Sequence, residues 1–240
     1  MESMMPTMLI VRPSARAAED VETCLNAGWR AEVLSPVEIE ADAAGLELLS
    51  EQYARADAVF WVSPTAIETA VPYLNLSDGI KIHIAVGQGS RRALERYLGR
   101  TVIAPHDGND SEAVLRLPVW DGLREGGRVL FVRGHGGRDF LMRRLREKGL
   151  QTELAEVYFR RHNSLNFQNF QSENITAAYI TSTELVQSLF AQVPLQFSRF
   201  FKSLLYFTQH PRIADALKRE GVRAVETVPS LEYALSHFPV

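Results

Sequence analysis

Cys24 is the only cysteine in the chain. That excludes an internal disulfide and a cysteine-built metal cage, and it suits a reducing cytoplasm. Its position on the apolar side of the first expected helix points to packing rather than nucleophilic use. A large excess of charge of either sign is missing too. Against 26 Lys and Arg stand 29 Asp and Glu, a formal net of −3, so no global field draws nucleic acid. A polyanionic small molecule would have to be held by local groups. No apolar run approaches the length of a bilayer. The opening M-E-S-M-M-P-T-M has neither the basic start nor the apolar stretch of a secretion signal, so a cytoplasmic protein is expected. The six histidines fall in no zinc spacing and no G-x-S-x-G occurs. G-Q-G-S-R-R is not G-x-G-x-x-G, and G-H-G-G-R-D lacks the Lys-Ser/Thr of a P-loop, which removes support for nucleotide classes and for a dehydrogenase. What is present is ordinary: 240 residues, 46% hydrophobic and 23% charged, enough to bury a proper core.

The plan of the chain shows in residues 129–161, a buried strand ending in Arg133, a glycine-rich turn, an amphipathic helix stopped by Gly149, and a strand carrying Tyr158. Laid without gaps over the N-terminus, this stretch meets a relative in L-I-V-R-P-S-A-R. Arg12 falls on Arg133, Gly28 on Gly149 and Glu32 on Glu153, each at an offset of 121 positions. One strand–turn–helix–strand unit therefore occurs twice.

Along the chain, residues 8–12 read as a buried parallel strand, 15–27 as a helix closed by Gly28, and 30–34 as the next strand. Pro36 argues for an edge or crossing segment. Asp42 caps a helix to about residue 56, and A-V-F-W-V (58–62) is a buried strand stopping at Ser63-Pro64, a strong helix start. Residues 80–86 form a strand, 101–104 a short one, and 111–123 a helix capped from Asn109, Asp110 or Ser111. Later, 177–186 answers 58–67 with Ser182 matching Ser63, L-L-Y-F-T-Q-H-P-R answers I-A-V-G-Q-G-S-R-R, and the helix after Pro229-Ser230 answers the one after Ser111. Residues 162–174 read as a loop with a short helix. Strands alternate with helices throughout, which implies parallel sheets covered on both faces. The order of the repeats places one complete set of units in the middle and splits the other between the two ends. The expected domains are 1–37 plus 163–240, and 40–158, with linker strands at 35–40 and 156–162.

Ligands of such sheets bind beyond the carboxyl ends of the strands. The turns expected there are Pro13-Ser14, Ser63-Pro64-Thr65, Gly87-Gln88-Gly89-Ser90, Gly134-His135-Gly136-Gly137, Ser182-Thr183 and Gln209-His210-Pro211. Small residues at helix N-termini offer backbone N–H groups to carboxylate or phosphate. Arg91, Arg92, Arg133, Arg138 and Arg212 sit beside them as charged partners. Any one such turn is a structural cap in countless α/β proteins; the combination on one edge of two domains is what argues for a ligand. Arg143, Arg144 and Arg146 read as a solvated helix face.

These residues carry a resemblance to one family. V-R-P near the start, V-F-W-V-S-P-T-A-I-E, I-A-V-G-Q-G-S-R-R-A-L, V-L-F-V-R-G-H-G-G-R-D-F-L followed by V-Y, I-T-S-T-E and H-P-R-I-A-D-A together resemble the uroporphyrinogen-III synthases over essentially the whole chain. Gly89-Ser90 stands where many members have a threonine in second place. The resemblance implies an α/β fold of two similar parallel-sheet, flavodoxin-like domains joined by a two-stranded linker, the second inserted in the first, with a cleft between them. It implies cyclisation of hydroxymethylbilane, a linear tetrapyrrole with eight carboxylates, with inversion of the last ring. It implies no metal or organic cofactor, a monomer, no nucleic-acid or membrane partner, and transient contact with the bilane-forming enzyme. Tyr158 is implied as the acid, or else packs at the domain joint. Arg12, Ser63, Pro64, Thr65, Gly87, Gly89, Ser90, Arg133, Gly134, Gly137, Arg138, Ser182, Thr183, His210, Pro211 and Arg212 are implied to hold substrate. Arg138 either orients a carboxylate or pairs with Asp139 or a glutamate. The rival class is a non-catalytic cytoplasmic sensor that binds a small anion between two domains.

Overall fold

A computed structural model describes residues 5–77, 81–168 and 170–238. The chain opens with β1 (Thr7–Val11), buried along its whole length, then a 3-10 turn at Ser14–Arg16, α1 (Ala18–Asn26) and β2 (Arg30–Leu34), which lies parallel to β1. The helix expected over 15–27 is thus divided. Ala17 stands at the N-cap with no side-chain oxygen to satisfy the first amides, so a tighter turn precedes the helix. Gly28 stops it at a φ of +79°, where a Cβ would clash with the chain's own carbonyl.

After Pro36 come β3 (Val37–Ala41) and α2 (Ala43–Arg55), the latter capped by Asp42, whose carboxylate accepts from Ala44 N at 3.1 Å. The middle of the chain continues as β4 (Ala58–Trp61), α3 (Pro64–Ala70), β5 (Ile82–Ala85), α4 (Gln88–Leu98), α5 (Ser111–Leu115), β6 (Arg128–Gly134), α6 (Phe140–Glu147) and β7 (Gln151–His162). Then follow β8 (Ile175–Ile180), α7 (Thr183–Phe190), α8 (Leu195–Ser203), β9 (Leu205–Thr208), α9 (Pro211–Arg219), β10 (Ala224–Thr227) and α10 (Leu231–His237).

Several local expectations are corrected. The strand over 101–104 reduces to a single bridge of Ile103 to Ile84. The helix expected over 111–123 stops at Leu115, and a 3-10 turn, Pro118–Gly122, takes its place, because proline holds the preceding Leu117 extended at ψ 134°. Of the strand expected over 80–86, Ile80 lies outside the described residues, and the strand itself is β5, Ile82–Ala85, without Lys81 and Val86. Residues 163–174 hold no helix among those described; Phe167 and Phe170 instead pack into a ring cluster with Phe197 and Phe201. That cluster seats α8, a helix the repeat pattern does not announce, whose Phe201 is fully buried.

Two separate five-stranded sheets result, in the orders β10-β9-β8-β1-β2 and β3-β7-β6-β4-β5. All pairs of the first sheet are parallel, and its order is that of flavodoxin-like folds. In the second, β7-β6-β4-β5 are parallel and reproduce the order β2-β1-β8-β9. The likeness extends to register. An offset of 121 takes every β1–β2 pair, Thr7↔Arg30 through Val11↔Leu34, onto a β6–β7 pair, Arg128↔Gln151 through Val132↔Ala155. Ala177↔Met8 likewise answers Ala58↔Val129.

The chain divides into two compact units, Met1–Ile39 with Arg161–Val240, and Glu40–Arg160. It passes from one to the other within β3 and returns within β7, which are neighbours in the second sheet. In the first unit successive residues of β1 feed opposite faces: Leu9 and Val11 join Ile180, Phe201 and Leu217, whereas Met8 and Ile10 join Cys24, Ala177 and Leu231. In the second, Phe60 and Phe131 pack edge to face at 5.2 Å among Trp120, Leu141 and Leu145. Each such side chain contributes about 1.5–3 kcal/mol by leaving water, and these layers hold the strand ends in place. No helix among the described residues is long and apolar enough to cross a membrane.

Candidate functional site

Because the strands are parallel, the turns at their carboxyl ends share one edge of each sheet. Ser63 and Ser182 occupy equivalent turns. Both are extended, at φ −162°, ψ 160° and φ −152°, ψ 156°, and both hydroxyls cap a helix, accepting from Ala66 N at 3.0 Å and Leu185 N at 3.2 Å. Pro64 preorganises the first turn of α3, with Thr65 next; Thr183 begins α7. A capping serine uses a lone pair and keeps its proton, so each turn retains one donor. Gly87 caps α4 and must be glycine for space, since a Cβ there would lie 2.7 Å from Asn109 Cβ. Gly89 faces open space, whereas Ser90 is turned inward and buried. His210 caps α9 through its backbone, with Pro211 at the first position and Arg212 exposed.

In the second unit the structure brings Ser63, Gly134 and Tyr158 together. Tyr158 is only 1% exposed, and a Cβ on Gly134 would fall 2.4 Å from its ring carbon Cζ. The glycine is therefore a requirement of the ring's position. The phenol oxygen accepts from Arg160 Nη2 at 2.8 Å and lies 3.3 Å from Ser63 Oγ, while the Arg160 guanidinium sits 5.2 Å from the ring centroid.

The glycine turn is clamped by His135. Its Nε2 is 2.7 Å from Asp42 Oδ2 and its Nδ1 is 3.2 Å from Glu156 Oε2, and its ring stacks on Phe159 at 3.9 Å. The bond to His135, ahead of backbone amides at Gly45 and Ala44, holds the Asp42 carboxyl below its ordinary range.

The expected arginines separate into engaged and exposed. Arg133, with its side chain 8% exposed, donates to Asp139 Oδ1 at 2.9 Å, Glu156 Oε1 at 3.3 Å and Arg138 O at 3.1 Å, and Gly137 leaves room for its stem. Arg12 pairs with Asp20, a carboxyl raised by burial against that pairing. Arg138 is exposed and reaches Glu112 at 3.5 Å, whereas Asp139 belongs to Arg133. Arg143, Arg144 and Arg146 are exposed on α6. Cys24 is buried, and burial pushes its thiol up to about 12.

A cavity of about 480 Å³ lies in the first unit between His162–Ser164 and the stretch from Gln187 to Gln192. It contains none of the residues singled out in the sequence, and His162 Nδ1 is held there by Ser188 Oγ at 2.8 Å. An open dent lined by amide side chains already bonded to backbone is a weaker candidate than the strand-end turns. No group of three or more His, Cys, Asp or Glu side chains poised for a metal occurs among the described residues.

Four residues escaped the reading of the sequence: Arg160, His135 as a clamp, Asp42 beyond its cap, and Glu156. For Arg160 a signal existed. Residues two apart in a strand share a face, so Y-F-R on β7 places the guanidinium beside the phenol. The other three meet only through the fold.

The family described as uroporphyrinogen-III synthase HemD matches residues 18–235. Uroporphyrinogen-III synthase of Escherichia coli (strain K12) is 27% identical over 199 residues, covering 78% of this chain and 80% of that protein. The namesake of Salmonella typhimurium (strain LT2) is 29% identical over 204 residues, with 78% and 80% covered. Among solved structures, a mutant uroporphyrinogen III synthase of the extremely thermophilic bacterium Thermus thermophilus superposes with a TM-score of 0.61 at 14% identity, over 97% of each chain. The uroporphyrinogen-III synthetase of Helicobacter pylori 26695 gives 0.56 at 15% identity, over 96% of this chain and 97% of its own. At such identities the structural likeness speaks to the fold.

Proposed function

The chain belongs to the uroporphyrinogen-III synthase family, and from that premise we propose that it cyclises hydroxymethylbilane to uroporphyrinogen III in tetrapyrrole biosynthesis. Loss of the terminal hydroxyl as water generates an electrophilic azafulvene. The last ring attacks through its substituted carbon, and the resulting spiro-pyrrolenine opens and recloses with that ring inverted. The family match over residues 18–235 carries this reading; the geometry of the second unit is what makes it chemically specific.

The free bilane closes by itself without inversion, so the enzyme's main task is to impose geometry. Positioning contributes up to about 7–11 kcal/mol, against a factor of ~10²–10⁴ from a general acid. Eight carboxylates spread along a flexible chain call for donors spread likewise. The turns at Ser63-Pro64-Thr65, Gly87, Gly89, Gly134, Gly137, Ser182-Thr183 and His210-Pro211 supply backbone amides and hydroxyls, and the exposed Arg138 and Arg212 supply charge. Arg12, Arg133 and Ser90 take a supporting part, because internal partners or burial already engage them. Tyr158 serves as the acid. Its ring is buried, and its hydroxyl lies 3.3 Å from Ser63 Oγ, through which we route its proton.

We place the enzyme in the cytoplasm as a monomer that receives its unstable substrate by transient contact with the bilane-forming enzyme; the buried, unpaired Cys24 fits a reducing compartment. Incubation with hydroxymethylbilane and separation of the product isomers tests the activity. The inverted isomer is expected, and a product mixture identical to that of buffer alone refutes it. Tyr158→Phe is expected to lower kcat about 100-fold while inversion persists. Complete loss in a folded variant would overturn the ranking of positioning above acid catalysis.

A further inference from the structure

We propose that Arg160 is a positioning residue of this reaction, the group that holds the negative charge left on the Tyr158 oxygen when its proton passes by way of Ser63 to the departing hydroxyl. The inference rests on Tyr158 being the acid and goes beyond it by assigning the partner that makes a buried phenol usable.

The argument starts from what a guanidinium is able to do. It carries only donors, so the 2.8 Å contact between Arg160 Nη2 and the Tyr158 oxygen has one polarity: arginine donates and the phenol accepts. The phenol's own proton is then left to another partner, and Ser63 Oγ, 3.3 Å away, is within reach of it. Ser63 already accepts from Ala66 N at 3.0 Å, and a hydroxyl has a second lone pair with which to take the phenol proton and a proton of its own to give. The order Arg160, Tyr158, Ser63 is therefore a line of polar contacts along which a proton could pass, ending at a half-buried hydroxyl at the carboxyl end of β4.

The environment raises the stakes. Tyr158 is 1% exposed, with Gly134 against one face of its ring, so a phenolate formed there has almost no water to stabilise it. Arg160 itself is exposed, but its guanidinium reaches the buried oxygen at hydrogen-bond distance and stands where that water would be. Arg160 is placed for the role by strand geometry: two residues beyond Tyr158 on β7, it lies on the same face and spans the ring with its guanidinium 5.2 Å from the centroid.

The step balances. The carbon–oxygen bond of the terminal hydroxymethyl group breaks, and its electron pair leaves with oxygen. Ser63 passes its proton to that oxygen, completing water, and takes the proton of Tyr158. The phenolate rests against Arg160 while the azafulvenium carries the opposite charge. After the last ring has attacked and reclosed, the proton that ring sheds returns to the phenolate, and no oxidant, reductant or co-reactant is needed.

The test is a double-mutant cycle on the full chain with hydroxymethylbilane as substrate, using Arg160→Ala, Arg160→Lys, Tyr158→Phe and the Ala/Phe double variant, each checked for an unchanged thermal midpoint. Arg160→Ala is expected to lower kcat about 100-fold with KM within about twofold, the low end of what loss of one donor to a developing charge costs. Arg160→Lys, which keeps the charge but not the fork, is expected to recover part of the loss. In the Tyr158→Phe background, removing Arg160 is expected to cost nothing more. Independent, multiplying losses would overturn the proposal, as would a raised KM with intact kcat, which would make Arg160 a carboxylate clamp instead. A Tyr158→Phe enzyme with unchanged kcat would remove the acid itself and the inference with it, a result distinct from a slowed Phe variant that shows no coupling.

Discussion

The first repeat, β1–α1–β2, and the second, β6–α6–β7, share a strand register residue for residue, yet they finish differently. In the first, β2 stops at Leu34 and the chain turns through Ser35 and Pro36. In the second, β7 runs on to His162 and carries Glu156, Tyr158 and Arg160. The offset of 121 sets Glu156 against Ser35, Tyr158 against Val37 and Arg160 against Ile39. The charged and phenolic groups of one copy are thus matched by a hydroxyl and two aliphatics in the other. The turns diverge in the same way. Ser14, after β1, donates from its backbone N at 3.0 Å to Glu38, whereas the glycine turn after β6 is held by His135 between Asp42 and Glu156. A duplicated scaffold keeps its hydrogen-bond ladder under the constraint of register, while strand ends, free of that constraint, carry different side chains in the two copies.

The widest separation between the copies should come from Gly134→Ala. The added methyl meets the Tyr158 ring at 2.4 Å, and we expect kcat to fall about 100-fold or more with roughly 1–3 kcal/mol of stability lost to overpacking. Val37→Ala, at the counterpart of Tyr158, should lose about 1–3 kcal/mol from removal of buried methyls and leave kcat within about twofold. Turnover and urea unfolding on both variants decide it; a similar fall in kcat at Val37 would break the asymmetry.

A smaller effect sharpens the contrast between equivalent caps. Ser63→Ala and Ser182→Ala should each cost about 0.5–2 kcal/mol of stability, since each removes one capped amide. Only Ser63 adjoins Tyr158, so its variant should also lose about 100-fold in kcat, while the Ser182 variant should show its effect in KM. Equal kcat losses would mean that the two turns do the same work.

The least effect concerns the clamp. Asp42→Asn keeps an oxygen for the helix cap but removes the carboxylate that faces His135. Because the folded Asp42 carboxyl is held below its ordinary value of 3.8, chiefly by His135, the wild type's advantage is present above that value and is lost as pH falls through the lower folded one. The difference in thermal midpoint between wild type and variant should therefore persist at neutral pH and close as the pH drops below 3.8. A difference that does not change with pH would assign Asp42 to the cap alone.

Much of the fold was legible because its signals are local or repetitive. Ser63-Pro64 and Ser182-Thr183 announce helix starts within three residues, and the helices begin where those signals say. Gly149, like Gly28, ends its helix at positive φ. The failures occur where a distant contact overrules a local preference. Residues 101–104 have strand-like composition but find only one bridging partner at the sheet's edge, and the phenylalanines of 163–174 pack against α8 instead of forming a helix of their own. At the candidate site, the turn residues were legible for the same reason as the caps. Which arginines remain exposed was not, because Asp20, Asp139 and Glu156 are partners set by where helices and strands land.

The sequence by itself determined that one unit is used twice, that strands and helices alternate, and where most helices begin, since repeats, apolar periods and caps act over a few residues and are written in order along the chain. Only the tertiary structure decided that Arg160 meets the Tyr158 oxygen, that Gly134 must lack a side chain, and that His135 joins Asp42 to Glu156. Those pairings depend on strands from distant parts of the chain lying side by side, and a contact of a few ångströms between such strands is set by the packing of the whole sheet.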